Sequence, residues 1–151
     1  MNEPIYITQE GLDNLIKEFK ELTEVKRLEV GERIRIARDQ GDVSENAEYA
    51  AAKEEQVSLE SRINELDSII KRAQVVKEEK GKVNIGSLVT VHVEGDNEDY
   101  HIVGEPEADP LNRKISHKSP LGTLLVGKKI NDTFDLETAV GKVTYRIVEI
   151  K

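Results

Sequence analysis

Between Tyr49 and Ala73 the seam positions fall at Tyr49, Ala52, Gln56, Leu59, Ile63, Leu66, Ile70 and Ala73, in steps that alternate three and four without a break. A strand repeats every second residue and cannot produce that pattern, whereas a helix lying against another helix does. The partner is upstream. A second seam runs through Leu12, Leu15, Phe19 and Leu22, then Val30, Ile34 and Ala37, with Thr8 reading as its N-cap ahead of Gln9 and Glu10. The step from Phe19 to Val30 is eleven residues rather than seven, a spacing that relaxes the supercoil of a continuous helix. A short turn at 41–43 makes the two helices antiparallel neighbours. Folding the seams about it pairs Ala37 with Tyr49, Ile34 with Ala52, Leu22 with Ile63 and Phe19 with Leu66. At 1.5 Å per residue, about 32 residues give a rod of roughly 45–50 Å. Gly31 falls inside the first helix, where it costs about 1 kcal/mol relative to Ala, and no sequence pattern accounts for it.

The pattern changes at Lys77-Glu78-Glu79-Lys80-Gly81. Beyond it Val89, Val91 and Val93 alternate, as do Val143, Tyr145 and Ile147, which predicts two half-buried strands. Tyr100–Gly104, Lys114–Ser116 and Phe134–Thr138 are further strand candidates, with turns at Gly95-Asp96-Asn97 and Val140-Gly141. Ser119 as N-cap, Pro120 at N1 and Gly127 as the stop frame one short helix. The expected organisation is α+β: an antiparallel helical coiled-coil hairpin over 1–76, a linker over 77–82, and a small antiparallel sheet domain with one helix over 83–151.

Composition narrows the function. A formal net charge of −8 argues against the whole chain gripping nucleic acid, since phosphate binding needs basic surface. Aromatics are 4% and Trp is absent, which disfavours a base-stacking platform. With no Cys, disulfides, thiolate metal sites and a Cys nucleophile are excluded. The N-terminal residues carry no apolar run of the signal-peptide kind, and no stretch approaches the ~20 apolar residues of a membrane span. A cytoplasmic protein without a membrane role is the expectation. His92, His101 and His117 lie in or beside predicted strands without metal-ligand spacing, and neither a nucleophile elbow nor a phosphate-cradling loop is present.

The remaining chemistry sits at the far end of the hairpin, in Gly41-Asp42-Val43-Ser44-Glu45-Asn46-Ala47-Glu48-Tyr49. Asp42 and Glu45 fit two compatible accounts. As local structure, Asp42 caps the second helix and Glu45 completes a capping box at N3. As chemistry, they are a partial ligand set for Mg²⁺, which takes one or two carboxylates and keeps several waters. Two carboxylates make no cage, so a partner would supply the rest of the site. Arg33, Arg35, Arg38 and Lys53 form the basic cluster near this tip. Glu29–Arg33 reads as an ordinary i,i+4 pair, while Arg35, Arg38 and Lys53 have no obvious partner in sequence.

Taken with Ala37-Arg38-Asp39-Gln40 before it and Ala51-Ala52-Lys53-Glu54 after it, the tip segment resembles that of the GreA/GreB family of bacterial transcript-cleavage factors. Ile102-Val103-Gly104-Glu105-Pro106-Glu107-Ala108-Asp109 is a second match. Ile115-Ser116 through Ser119-Pro120-Leu121-Gly122 to Leu125-Val126-Gly127-Lys128-Lys129 is a third, so the resemblance spans essentially the whole chain. It implies an FKBP-like fold for the C-terminal domain and RNA polymerase as partner. The coiled coil would enter the secondary channel, where Asp42 and Glu45, with Ser44 beside them, share Mg²⁺ and orient water for hydrolysis of the nascent RNA 3′ end in backtracked complexes. The chain itself would be no enzyme, would act as a monomer, and would bind no Mg²⁺ tightly when free. Arg38 and Lys53 match the family's RNA contacts, and Ser119, Pro120 and Leu121 match its polymerase-contact loop. A steric regulator of the same channel, lending no chemistry, is the rival reading; the intact acidic pair favours cleavage. A prolyl isomerase is the third, disfavoured because only Tyr100, Phe134 and Tyr145 could line an aromatic pocket.

Overall fold

A computed structural model of the chain describes residues 3–42, 45–77 and 79–151. They form two compact units. One comprises Asp13–Arg72; the other joins Met1–Leu12 to Ala73–Lys151. This division differs from the boundary expected at 76/77, because short segments at both ends of the helical region belong to the sheet unit.

The hairpin unit is helical throughout, as the seams require. Helix α1 (Gln9–Glu21) enters it and is followed by a π-helical turn, Leu22–Lys26, then by α2 (Arg27–Asp39). The first helix is therefore not one continuous α-helix. The π-helical turn falls inside the eleven-residue step and begins at Leu22, the last seam residue before Val30. None of its residues is buried. Within it the Thr23 hydroxyl donates to the Phe19 carbonyl at 2.8 Å, an i−4 bond of the kind that bends helices. The returning helix, α3 (Ala47–Arg72), has 26 residues and spans about 39 Å. Val30, Ile34 and Ala52 make a buried cluster with Tyr49 and Leu59 against it, which agrees with the Ile34–Ala52 pairing. Ion pairs flank the seam: Arg27 grips Glu60 at 2.8 Å, Arg62 reaches Glu18 at 2.8 Å, and Arg33 meets Glu55. Gly31 faces open space where a Cβ would stand, so packing does not explain it.

The sheet unit has five strands in the order β5-β4-β3-β7-β6: β3 Leu88–Val93, β4 Asp96–Val103, β5 Lys114–Ser116, β6 Thr133–Thr138 and β7 Gly141–Ile150. The β3–β4 and β6–β7 hairpins and the β3–β7 pair are antiparallel, but β4–β5 is parallel. The sheet is thus antiparallel, as expected, in every pair but that one. The connection over 104–113, folded into two 3₁₀ turns at Glu105–Glu107 and Pro110–Asn112, carries the chain back to start β5 in the same direction. The β3–β4 turn is Glu94-Gly95, so Asp96 and Asn97 are strand rather than turn. Val89, Val91, Val93, Ile102, Tyr145 and Ile147 put one face into the core, and Leu125 of helix α4 (Pro120–Leu125) covers it. Phe134 stacks on Tyr145 with centroids 5.2 Å apart, and Tyr100 packs against the same core. These three aromatics are packing, not the lining of an open pocket.

The same unit contains a two-stranded parallel pair that sequence reading missed: β1 (Ile5–Ile7) beside β2 (Ala73–Val75), with Ile5 opposite Ala73 and Ile7 opposite Val75. Ala73 is thus strand and not the last position of the helical seam. Ala and Gln carry little strand preference; pairing with Ile5–Ile7 overrides it, and Ile7 is fully buried.

Candidate functional site

The tip of the hairpin is organised by Asn46. Its Nδ2 donates to the Ala37 carbonyl at 2.5 Å, sharing that acceptor at the end of α2 with the Gln40 amide at 3.3 Å. Its Oδ1 accepts from the Tyr49 amide at 3.0 Å, the N-cap bond of α3. One side chain therefore closes both helix ends. The capping box expected from Asp42 and Glu45 is displaced: α3 begins at Ala47, the cap is Asn46, and Tyr49 stands at N3. Asn before a helical run is itself a recognised start signal, here four residues after Asp42 and one after Glu45.

With capping assigned to Asn46, Asp42 and Glu45 are presented outward. Both are exposed, the Glu45 amide donates to the Asp42 carbonyl at 3.3 Å, and both border one shallow depression with Gln40, Gly41, Asn46 and Glu48. Ser44 lies outside the described residues. Glu45 stands one residue ahead of the cap of α3 and Glu48 in its first turn, where the helix dipole favours negative charge. Among the described residues no group of three or more His, Cys, Asp or Glu is arranged to hold a metal ion. The donor set at the tip fits a hard cation held in part by carboxylates and in part by something else.

The basic cluster divides in two. Arg35 is held by Glu32, at 2.6 and 3.0 Å, and by Asp39 at 3.2 Å. The hydrogen bond to Glu32 pushes the Arg35 guanidinium pKa up, and the reciprocal bond lowers that of Glu32. Arg33 is taken by Glu55, while Glu29 pairs instead with Lys26 at 3.6 Å. Arg38, exposed in the last turn of α2, has neither a hydrogen bond nor an ion pair among the described residues. Lys53 donates to the neutral Gln56, at 3.2 Å. Among the described residues, Arg38 and Lys53 are the cations near the tip without an anionic partner; Arg35, grouped with them by sequence, is not one.

In the sheet unit, Ser119 caps α4. Its hydroxyl accepts from the Gly122 amide at 3.0 Å and donates to the Ser116 carbonyl at 2.7 Å. Pro120 at N1 is exposed, whereas Leu121 is half-buried against the core. The three residues expected at the polymerase contact thus have different work: Ser119 and Leu121 hold the loop, and Pro120 faces outward. His92 bonds Asn97 at 2.9 Å, and His117 meets the Tyr6 ring edge-on at 6.1 Å. Among the described residues, no helix is long and apolar enough to cross a membrane.

Comparison with known proteins places these features in a family. Residues 5–75 match the family described as "Transcription elongation factor, N-terminal", and residues 78–151 match "Transcription elongation factor, GreA/GreB, C-term". Transcription elongation factor GreA of Thermoanaerobacter pseudethanolicus is 46% identical, with 100% of this chain and 99% of the relative covered. GreA of Lactococcus lactis subsp. cremoris is also 46% identical, with 99% of each covered. A solved structure of the transcription factor Gfh1 is 28% identical and covers 99% of each chain, with a TM-score of 0.50. The chain belongs to the GreA/GreB family of transcription elongation factors.

Proposed function

We propose that this elongation factor binds RNA polymerase, reaches its active site with the hairpin tip, and stimulates the polymerase's own hydrolysis of backtracked RNA. The observation that carries the reading is the tip itself: two exposed carboxylates on one depression, with the helix ends closed by a separate residue. Asn46 makes the cap bond of α3, and the two carboxylates are exposed on that depression, accessible to a partner's site.

Asp42 and Glu45 are the residues to hold Mg²⁺ jointly with the polymerase. That ion, when bound there, would polarise the phosphoryl oxygen and acidify a coordinated water. The chain's own part is positioning. Glu48 stands in the first turn of α3 and Glu45 just ahead of its cap, so the helix fixes where both carboxylates are presented. Arg38 and Lys53, lacking anionic partners, are placed to pair with RNA phosphate, while Arg33 and Arg35 stay committed to the rod. The sheet unit grips the polymerase surface through the Pro120 loop.

The test is to add the protein to stalled, backtracked elongation complexes and look for short 3′ RNA fragments. Their appearance, dependent on added protein, is the expected result. Binding without fragments would leave the steric regulator as the correct reading.

A further inference from the structure

The loop over 104–109 plays no part in the tip chemistry, yet one of its carboxylates collects three donors. Glu107 Oε2 accepts from the Gly104 amide at 2.9 Å and from the Thr8 amide at 3.0 Å. Its Oε1 accepts from the Thr8 hydroxyl. Thr8 is at the same time the N-cap of α1: its hydroxyl accepts from the Gly11 amide at 3.0 Å, and its carbonyl accepts from the Leu12 amide at 3.0 Å. Two residues 99 positions apart are thus joined through both oxygens of one carboxylate. An ionised carboxylate meets all three donors as an acceptor, through charge-assisted bonds.

The surroundings leave no slack. A Cβ on Gly104 would stand 2.1 Å from the Tyr6 carbonyl oxygen, and one on Gly11 would stand 2.1 Å from the Glu107 carboxyl carbon. Tyr6 lies in β1, which leads into α1, and β1 pairs with β2, which continues from α3. Both roots of the hairpin therefore pass through one small knot, and Glu107 ties that knot to the sheet unit's loop.

We infer that Glu107 is a positioning residue for the hairpin: it locks the first turn of α1 and so limits how freely the rod swings as it delivers the tip. The delivery half of this inference rests on the proposed function; the locking half does not.

The test uses the full chain, which has no native Cys, carrying spin labels at Ser61→Cys on α3 and Lys142→Cys on β7. Pulsed dipolar spectroscopy reads the distance distribution. Glu107→Met keeps the side-chain length, leaves all three donors without a carboxylate and is expected to widen that distribution about twofold or more. Gly11→Ala should do the same by filling the carboxylate's seat, although helix propensity alone favours Ala. It decides the matter if Glu107→Met fails to fold. Unchanged distributions would overturn the lock. In backtracked complexes, both variants should lose about tenfold or more in cleavage at saturating protein, since misplacing a catalytic group by about 1 Å costs up to ~10². Normal cleavage beside a widened distribution would overturn the delivery half. Wild-type protein that fails to cleave would instead refute the proposed function, with the spectroscopy still deciding the lock.

Discussion

Asn46→Ala isolates the element that holds the tip together. The substitution removes the cap bond to the Tyr49 amide, 3.0 Å, and the cross-turn bond to the Ala37 carbonyl, 2.5 Å. Loss of an N-cap costs about 1 kcal/mol, and loss of the second bond about 1 kcal/mol more. The sum, about 2 kcal/mol, corresponds to roughly thirtyfold in a local opening equilibrium. The buried Val30–Ile34–Ala52 cluster lies below the turn, so the change should stay local. Hydrogen exchange of the Tyr49 and Ala50 amides is the assay, with thermal unfolding as the control. Asn46→Asp keeps the cap acceptor but not the donor to Ala37, and should accelerate exchange only about fivefold, from about 1 kcal/mol. Wild-type exchange in Asn46→Ala, or equal acceleration by Ala and Asp, would refute the two-bond staple.

Four residues around this staple show what could be read from the sequence. The 3-4 seam fixed α3 because periodicity over many turns averages out local exceptions. The Asp42/Glu45 box failed because a cap is one residue's geometry, and Asp, Ser and Asn all stood within a few positions of the helix start. Glu32 and Asp39 stand three before and four after Arg35, a spacing as legible in sequence as the Glu29–Arg33 pair that did not form, while Arg33 found its acid on the opposite helix. Long-range pairings were the least legible. Nothing local in Ile5–Ile7 or Ala73–Val75 announces a parallel pair, and Glu107 to Thr8 is visible only once the chain is folded. The exposure of Asp42, Glu45 and Pro120, by contrast, was legible, because each stands at a turn or a helix start outside the apolar seams.

Arg38→Ala should leave thermal unfolding unchanged yet weaken RNA engagement by about 1.5 kcal/mol, roughly tenfold in cleavage at limiting protein. Arg35→Ala should have little effect on cleavage, and equal losses from both would refute the division of the cluster. Pro120→Glu should keep the fold, since an acid suits N1, and lower polymerase affinity, with cleavage restored by excess protein. Leu121→Glu should instead destabilise the sheet unit by about 1–3 kcal/mol; wild-type melting would show that its core contact is unimportant. In alkali, burial and a 2.5 Å hydrogen bond to Glu98 hold the Tyr100 phenol protonated up to about 12. Its contribution to stability is therefore intact below pH 10, the ordinary phenol value, and is lost as pH rises toward about 12. Phenolate absorbance should show a late-titrating component that Tyr100→Phe removes; its persistence in that variant would refute the assignment.

The central claim is that two tip carboxylates are lent to another protein's active site, and it is tested most directly by removing their charge without removing the tip. Asp42→Asn with Glu45→Gln keeps side-chain size, and the Asn46 staple remains in place. Cleavage of backtracked RNA should be measured at saturating double variant, beside its affinity for the polymerase. Loss of positioned electrostatic contributors of this kind costs about 10²–10³ in rate. The account predicts that loss with affinity retained. Near-normal cleavage by the double variant would contradict it and leave a factor that acts by occupying the channel alone.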